Sequence, residues 1–428
     1  MFNENDLRFT SHIWKKYFAC YPERYVLSDG YQPDNVASID SYLFRAIFPG
    51  NLISFHNNEM RLAEILTGYP VFNSLSPMQL KTMLINFGIT IESDTLKNLS
   101  KNGNLREANF SALDITLPGG LIVNCPYNVR YSEYSPFEIK CNNGCLNLYY
   151  FEKLLTPIEI CYESSINKKK TRSGVNYSSV AFLANDRLRI NYNPVCYYKS
   201  NGQGCTFCNL PAKNQQYTFD DICEIAEDYL LHEEFRHILI GGGSGNPDSC
   251  FSNIIQLTNY LKSKTKKPLY LMSLPPRECD CVQALCQAGI SEIAFNIEIF
   301  DRTIAAQYMP GKGSIPIERY LSALSEAVKH LGKTGNVRSM LIVGFDPKET
   351  LLRGIETLCE MGVQPMLSVF RPLEGTLLEH WMPPQTNELL EIFKQAADIC
   401  KQHGLLLGPS CVFCQNNTLA LPEAMYSL

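Results

Sequence analysis

The chain has 428 residues, room for more than one domain, and its 45% hydrophobic and 19% charged content is that of ordinary globular protein. A net charge of −5 excludes a global basic field for nucleic acid, and Lys168-Lys169-Lys170 reads as a solvated loop. No stretch reaches eighteen apolar residues and Met1-Phe2-Asn3-Glu4 lacks a secretion pattern, so a cytoplasmic protein with no membrane partner is expected. In that compartment seventeen cysteines point to ligands and buried thiols rather than a disulfide framework.

Residues 1–180 read as an N-terminal α+β domain of unfamiliar type, serving substrate recognition or capping. Helical material is expected near 62–65 and 78–85. A β-like region follows over 117–160, punctuated by Pro118-Gly119-Gly120 and Cys141-Asn142-Asn143-Gly144-Cys145, and a polar connector over 167–177. From about residue 186, short aliphatic runs alternate with helical stretches. Strands are predicted at 187–192, 237–240, 268–273, 292–297, 337–343 and 363–370. Their helices are predicted at 219–233, 254–264, 279–288, 317–331, 348–361 and 387–403. Six βα units require a parallel sheet; residues 181–384 form this core, and 385–428 hold its last helix and an extension.

Cys196, Cys205 and Cys208 follow the first strand. Three thiolates can hold a [4Fe–4S] cube and leave one iron open to a small molecule. Alternatively they belong to a structural zinc site or are unrelated thiols. Zinc asks for a fourth Cys or His, and the nearest histidines, His232 and His237, lie beyond the following helix. The second strand ends in Gly241-Gly242-Gly243-Ser244-Gly245, where a backbone without Cβ can approach a ligand closely.

These residues resemble the radical S-adenosylmethionine (radical SAM) family, in which the cluster cysteines follow the first barrel strand and an aromatic residue, here Phe207, precedes the last. One departure is that eight residues separate Cys196 from Cys205, where most members have three. The resemblance implies an α/β fold: a partial (βα)6 TIM-like barrel with its chemistry at the C-terminal strand ends. It implies that Gly241, Gly242, Gly243 and Ser244 meet the methionine part of SAM. Asn296-Ile297-Glu298 with Arg302 resembles the lipoyl synthase branch, which implies Glu298 at the ribose and Arg302 at the carboxylate. The plain structural reading of that pair is an i,i+4 contact at a helix start. Tyr308-Met309-Pro310-Gly311-Lys312 continues the likeness and adds Lys312. On the fifth strand Arg338 precedes Ser339 to Gly344, with the Gly344 end expected near adenine. Arg371 would hold an acidic substrate or close the rim.

The reaction so implied is reductive cleavage of SAM at the cluster to a 5′-deoxyadenosyl radical, which takes hydrogen from a small-molecule or peptide substrate. A low-potential donor such as flavodoxin or ferredoxin, and anaerobic conditions, are implied with it. The contrasting reading is a non-catalytic zinc- or metal-binding regulatory protein using the same cysteines. Cys411-Val412-Phe413-Cys414 follows the final helix. Two thiolates cannot hold a cube unaided, so this pair is a second iron–sulfur cluster near the active site with ligands such as Cys141, Cys145 or Cys400, a zinc site, or two free thiols.

Overall fold

A computed structural model describes residues 76–422 apart from 103–106, 109–111, 128, 130–131, 133–134, 151–152, 162, 211–215 and 247–250. The helix expected at 62–65 lies outside the described residues.

The fold is mixed α/β. Its largest sheet holds six parallel strands, β1 Arg187–Asn193, β2 His237–Gly242, β3 Leu269–Ser273, β4 Glu292–Phe295, β5 Val337–Val343 and β6 Gln364–Val369. The helices that follow them are α1 Phe219–His232, α2 Ser252–Lys264, α3 Asp280–Ala288, α4 Ile317–Leu331, α5 Lys348–Glu360 and α6 Thr386–Gln402. The strands stand in the sheet in chain order. Because βαβ crossovers are right-handed, that order puts every helix on the same face. Alternate strand residues obey it: Leu188, Ile190, Ile238, Ile240, Ile293 and Leu341 join the helices in the main core. Leu239, Tyr270, Ala294 and Met366 gather on the other face.

Two departures from the expectation bear on the site. A strand at Ala181–Ala184 pairs antiparallel with β1 through a turn at Asn185, which takes a φ of 56°. Strand β4 stops at Phe295 because the chain turns at Glu298, then touches β5 again through a single bridge to Leu341.

The N-terminal region carries the helix Pro77–Phe87, opened by a reciprocal capping box between Ser76 and Gln79. Antiparallel pairs follow at Ala112–Leu117 with Leu121–Pro126 and at Phe137–Asn142 with Cys145–Tyr150. The second pair turns at Asn143-Gly144, both at positive φ, as a tight hairpin demands. These elements share one hydrophobic core with the parallel sheet: Phe87, Val123 and Phe137 belong to the same cluster as Leu188 and Leu367. Arg371 is held in that contact, donating to Asn124 Oδ1 at 2.7 Å and to its carbonyl at 2.8 Å.

Lys81 ties the same parts together. Its buried ammonium donates to the carbonyls of Gln415 and Ala420 at 2.7 and 2.5 Å. Burial lowers its pKa from 10.5 to about 7. A folded pKa below the unfolded one means the unfolded chain binds the extra proton, so this residue's contribution to stability falls as pH drops from 10.5 towards 7 and is flat below. The denaturation midpoint of the protein relative to Lys81→Met is therefore expected to rise between pH 7 and 9, measured by chemical denaturation. A gap independent of pH over that window would refute the assignment.

Candidate active site at the C-terminal strand ends

Cysteine and glycine loops are laced together where β1 and β2 end. Gly243 N donates to Asn193 O at 2.9 Å, and Tyr197 N to Ser244 O at 2.8 Å. Gly242 has a φ of 128°, and a Cβ there would meet Asn193 O at 2.7 Å. A Cβ on Gly243 would meet Cys196 N at 2.6 Å. The glycines thus do more than free space for a ligand: they let the second strand's turn lie on the backbone of the first cysteine. Gly243→Ala is expected to push Cys196 out of place and lower the iron bound after anaerobic reconstitution, whereas Gly404→Ala, beside open space though at positive φ, leaves it unchanged. Equal iron in both variants would argue against this packing role.

The other two cysteines are fixed from the opposite side. Thr206 N donates to Tyr308 O at 2.8 Å, Gly311 N to Gln203 O at 3.0 Å, and Cys208 N to Cys205 O at 3.2 Å. Lys199 donates to the carbonyls of Cys208 and Leu210. Gly311 packs against the Tyr198 ring with no room for a Cβ. Burial pushes the Cys205 thiol up, and Glu298, Cys208 and Cys196 add to the rise while Lys312 opposes it. Cys208 is raised likewise, first by burial. Cys196 contributes to the rise at both Cys205 and Cys208, which puts the three thiols near one another. Such a set releases its protons when a cationic iron centre binds, and the donor chemistry fits a [4Fe–4S] cluster held by Cys196, Cys205 and Cys208.

Glu298 faces this loop from three residues past the end of β4. It holds a φ of 66°, costly for a residue with a Cβ, and is locked there by Glu298 N to Met340 O and Ile342 N to Glu298 O, each 2.8 Å. Its Oε1 accepts from Lys312 Nζ at 2.7 Å, with both side chains largely buried. Burial alone would lower the Lys312 ammonium, but Glu298, Tyr320 and Cys205 together more than offset it and raise its pKa. Asn296 is buried and accepts from Met340 N at 3.1 Å.

Arg302 does not offer its fork to a ligand. Nη1 donates to Ile299 O, and Nη2 to the carbonyls of Lys312, Gly313 and Ile315, all at 3.0 Å. It braces the turn that presents Lys312. Arg338 lies at the start of β5, the far end from Val343, where it pairs with Glu292 at 2.6 Å and stacks on Tyr270. Gly344 does sit at the strand's C-terminal end at φ 120°, with Phe370 and Pro384 where a Cβ would go. Sequence reasoning missed Asp346, whose carboxylate accepts from Phe300 N at 2.7 Å and Asp301 N at 3.0 Å and so fixes the loop after Glu298. Its place two residues past Gly344 was the available signal.

An aromatic wall borders the site. Phe345 stands 5.1 Å between ring centroids from each of Phe207, Tyr308 and Phe370, and Tyr308 stands 5.3 Å from the partly exposed Trp381. Leu377 beside it is 82% exposed. A cavity of about 440 Å³ lined by Tyr192, Ile222, Ile254 and Ser273 opens on the helix-covered side of the strand ends, behind Asn193 and Gly245.

Cys411 and Cys414 do not join this site. They sit where β1 and β2 begin, beside Asp186, Arg187 and His237. Six strand steps of about 3.3 Å, roughly 20 Å, separate that end of β1 from the cysteine loop.

No protein-family model matches the chain. A bacteriochlorophyllide c C-7(1)-hydroxylase from Chlorobaculum limnaeum is 22% identical over 297 residues, 63% of this chain and 74% of that protein. Among solved structures, methylornithine synthase aligns at a TM-score of 0.37 and 17% identity, over 56% of this chain and 79% of its own. HydG, a maturase of the [FeFe]-hydrogenase, aligns at 0.37 and 16%, over 49% and 47%. No helix among the described residues is long and apolar enough to cross a membrane.

Proposed function

We propose, for a chain that is a radical SAM enzyme and so works with a [4Fe–4S] cluster and S-adenosylmethionine, that Cys196, Cys205 and Cys208 hold the cluster and that the C-terminal strand ends hold SAM. The reading rests above all on the lacing of the cysteine loop to the Gly241–Gly243 turn and on the proximity of Glu298 and Lys312 to Cys205. We take the open sheet as a partial (βα)6 barrel, with residues 1–180 as an appended domain and 385–428 as its C-terminal extension.

Bound there, the cofactors would supply one-electron chemistry able to take hydrogen from substrate. The chain supplies position. Gly241 to Gly243 expose backbone to the methionine end, Glu298 accepts from the ribose hydroxyls, and Lys312 stands beside Cys205 as the cation for the carboxylate. Arg302 and Asp346 are positioning residues that hold the two loops carrying Lys312 and Glu298. Asn296 and Gly344 complete the rim.

For substrate we propose a small apolar molecule. The wall of Phe207, Tyr308, Phe345, Phe370 and Trp381 would cover a flat hydrophobic face and exclude water, and the hydroxylase it resembles acts on a bacteriochlorophyllide. A low-potential flavodoxin or ferredoxin would supply the electron. The test is anaerobic reconstitution with iron and sulfide, then SAM and dithionite. We expect a brown protein with about four irons per chain that forms 5′-deoxyadenosine. A colourless protein carrying zinc at these cysteines, with no SAM cleavage, would reject the reading for a metal-binding regulator.

A further inference from the structure

The opposite end of the sheet carries a second constellation. One ligand atom from each of Asp186, Cys411 and Cys414 lies within 4.8 Å of the others. A nitrogen of His237 stands 3.7 Å from Cys414 Sγ. Cys414 is buried at 6% exposure, and His237 is fully buried. Two atoms here have no hydrogen-bond partner among the described residues although they are buried, Asp186 Oδ1 and His237 Nδ1. A buried polar atom left unpaired is costly, and Asp186 Oδ1 is left so within this cluster, while His237 turns its Nε2, not the unpaired Nδ1, toward Cys414.

We propose that Asp186, His237, Cys411 and Cys414 bind a single zinc ion. The mutually close donors of Asp186, Cys411 and Cys414, with His237 next to Cys414 as the fourth, suit one ion, because a cubic cluster spreads its ligands over separate irons. Two sulfurs, a carboxylate oxygen and an imidazole nitrogen are all zinc ligands, and four protein ligands make a closed structural site. On binding, both thiols lose their protons to solvent, and no electron is transferred. Two thiolates and a carboxylate around a dication leave one negative charge. Arg236, which donates from Nη2 to Cys411 Sγ and from Nε to Asp186 Oδ2 at 2.9 Å, and Arg187, 3.7 Å from Cys414 Sγ, offset it from outside the ligand set.

The position gives the ion a structural task. The C-terminal segment is bridged to β6 at Gly408 and Met366, reaches the start of β1, where Asn185 donates to Phe413 O, and returns to β6, where Leu419 N donates to Leu367 O. It also carries the N-terminal region, through Asn124 N to Asn416 O at 2.8 Å. Zinc would clasp this segment to β1 and β2 beneath the sheet, about 20 Å from the radical chemistry.

The test is metal analysis of the full chain purified anaerobically, with its iron–sulfur cluster in place. One zinc per chain is expected beside about four irons. The Cys411→Ser, Cys414→Ser double variant should lose the zinc and keep the iron, and Cys205→Ala should do the reverse, which separates this proposal from the cluster assignment. Cobalt(II) titrated into zinc-free protein should give a thiolate-to-cobalt charge-transfer band. Asp186→Asn and His237→Gln, which leave both thiols in place, should each weaken cobalt binding at least tenfold, and they carry the test should the double variant not fold. Zinc retained by the double variant, no zinc and no cobalt band in the parent protein, or about eight irons falling to four in the double variant would each overturn the proposal.

Discussion

Replacing Cys205 with alanine is expected to take the reconstituted protein from about four irons per chain to near none and to abolish 5′-deoxyadenosine formation with it. The effect should be this large because the cysteine loop offers no substitute donor. Cys196 and Cys208 are its remaining thiols, and Lys199, which reaches the Cys208 carbonyl, is a cation. Two thiolates do not hold a cube. Circular dichroism should show the fold retained, since Cys205 is anchored by backbone bonds from Thr206 and Cys208 that alanine leaves in place. A variant that kept a full cluster and cleaved SAM would remove Cys205 from the ligand set.

The second large effect is expected at Glu298. Alanine there should weaken SAM binding by about 1–3 kcal/mol, the cost of losing a charge-assisted bond in a partly buried site, or roughly five- to 150-fold in affinity by titration. The variant also strands Lys312, whose ammonium now pairs with Glu298 at 2.7 Å. A double variant, Glu298→Ala with Lys312→Met, separates the two losses. If both side chains touch SAM, each single change weakens binding. If they serve only each other, affinity returns in the double variant. Full affinity in Glu298→Ala would refute the pose outright. Glu298→Gly is informative beside it, because glycine relieves the positive φ while still removing the carboxylate. Loss of affinity in both variants places the effect on the carboxylate rather than on backbone strain.

Much of the parallel sheet was legible from local pattern. A strand buried against helices must alternate, its helix must show one apolar face, and both periods are written in contiguous residues. All six βα units therefore appear where the pattern puts them, and the cysteine and glycine loops follow their strands as their spacing implies. The short strand Ala181–Ala184 was not legible, since four residues pairing with a neighbour leave no period to read.

Side-chain partnerships were decided by packing. Arg302 lies four residues after Glu298, which suggests a pair, yet the turn at Pro310–Gly313 captures its guanidinium and brings Lys312 to the carboxylate instead. Arg371 could be placed at the rim but not matched to Asn124, 247 residues earlier. The residues around Cys411 and Cys414 come from the first strand's turn and the second strand's start, Arg236 and His237 being 175 and 177 residues away. Local propensity acts over a few residues, while ligand sets form wherever the chain crossings meet. Composition and spacing thus name the chemistry at each loop, and the order of strands in the sheet chooses which loops share a site.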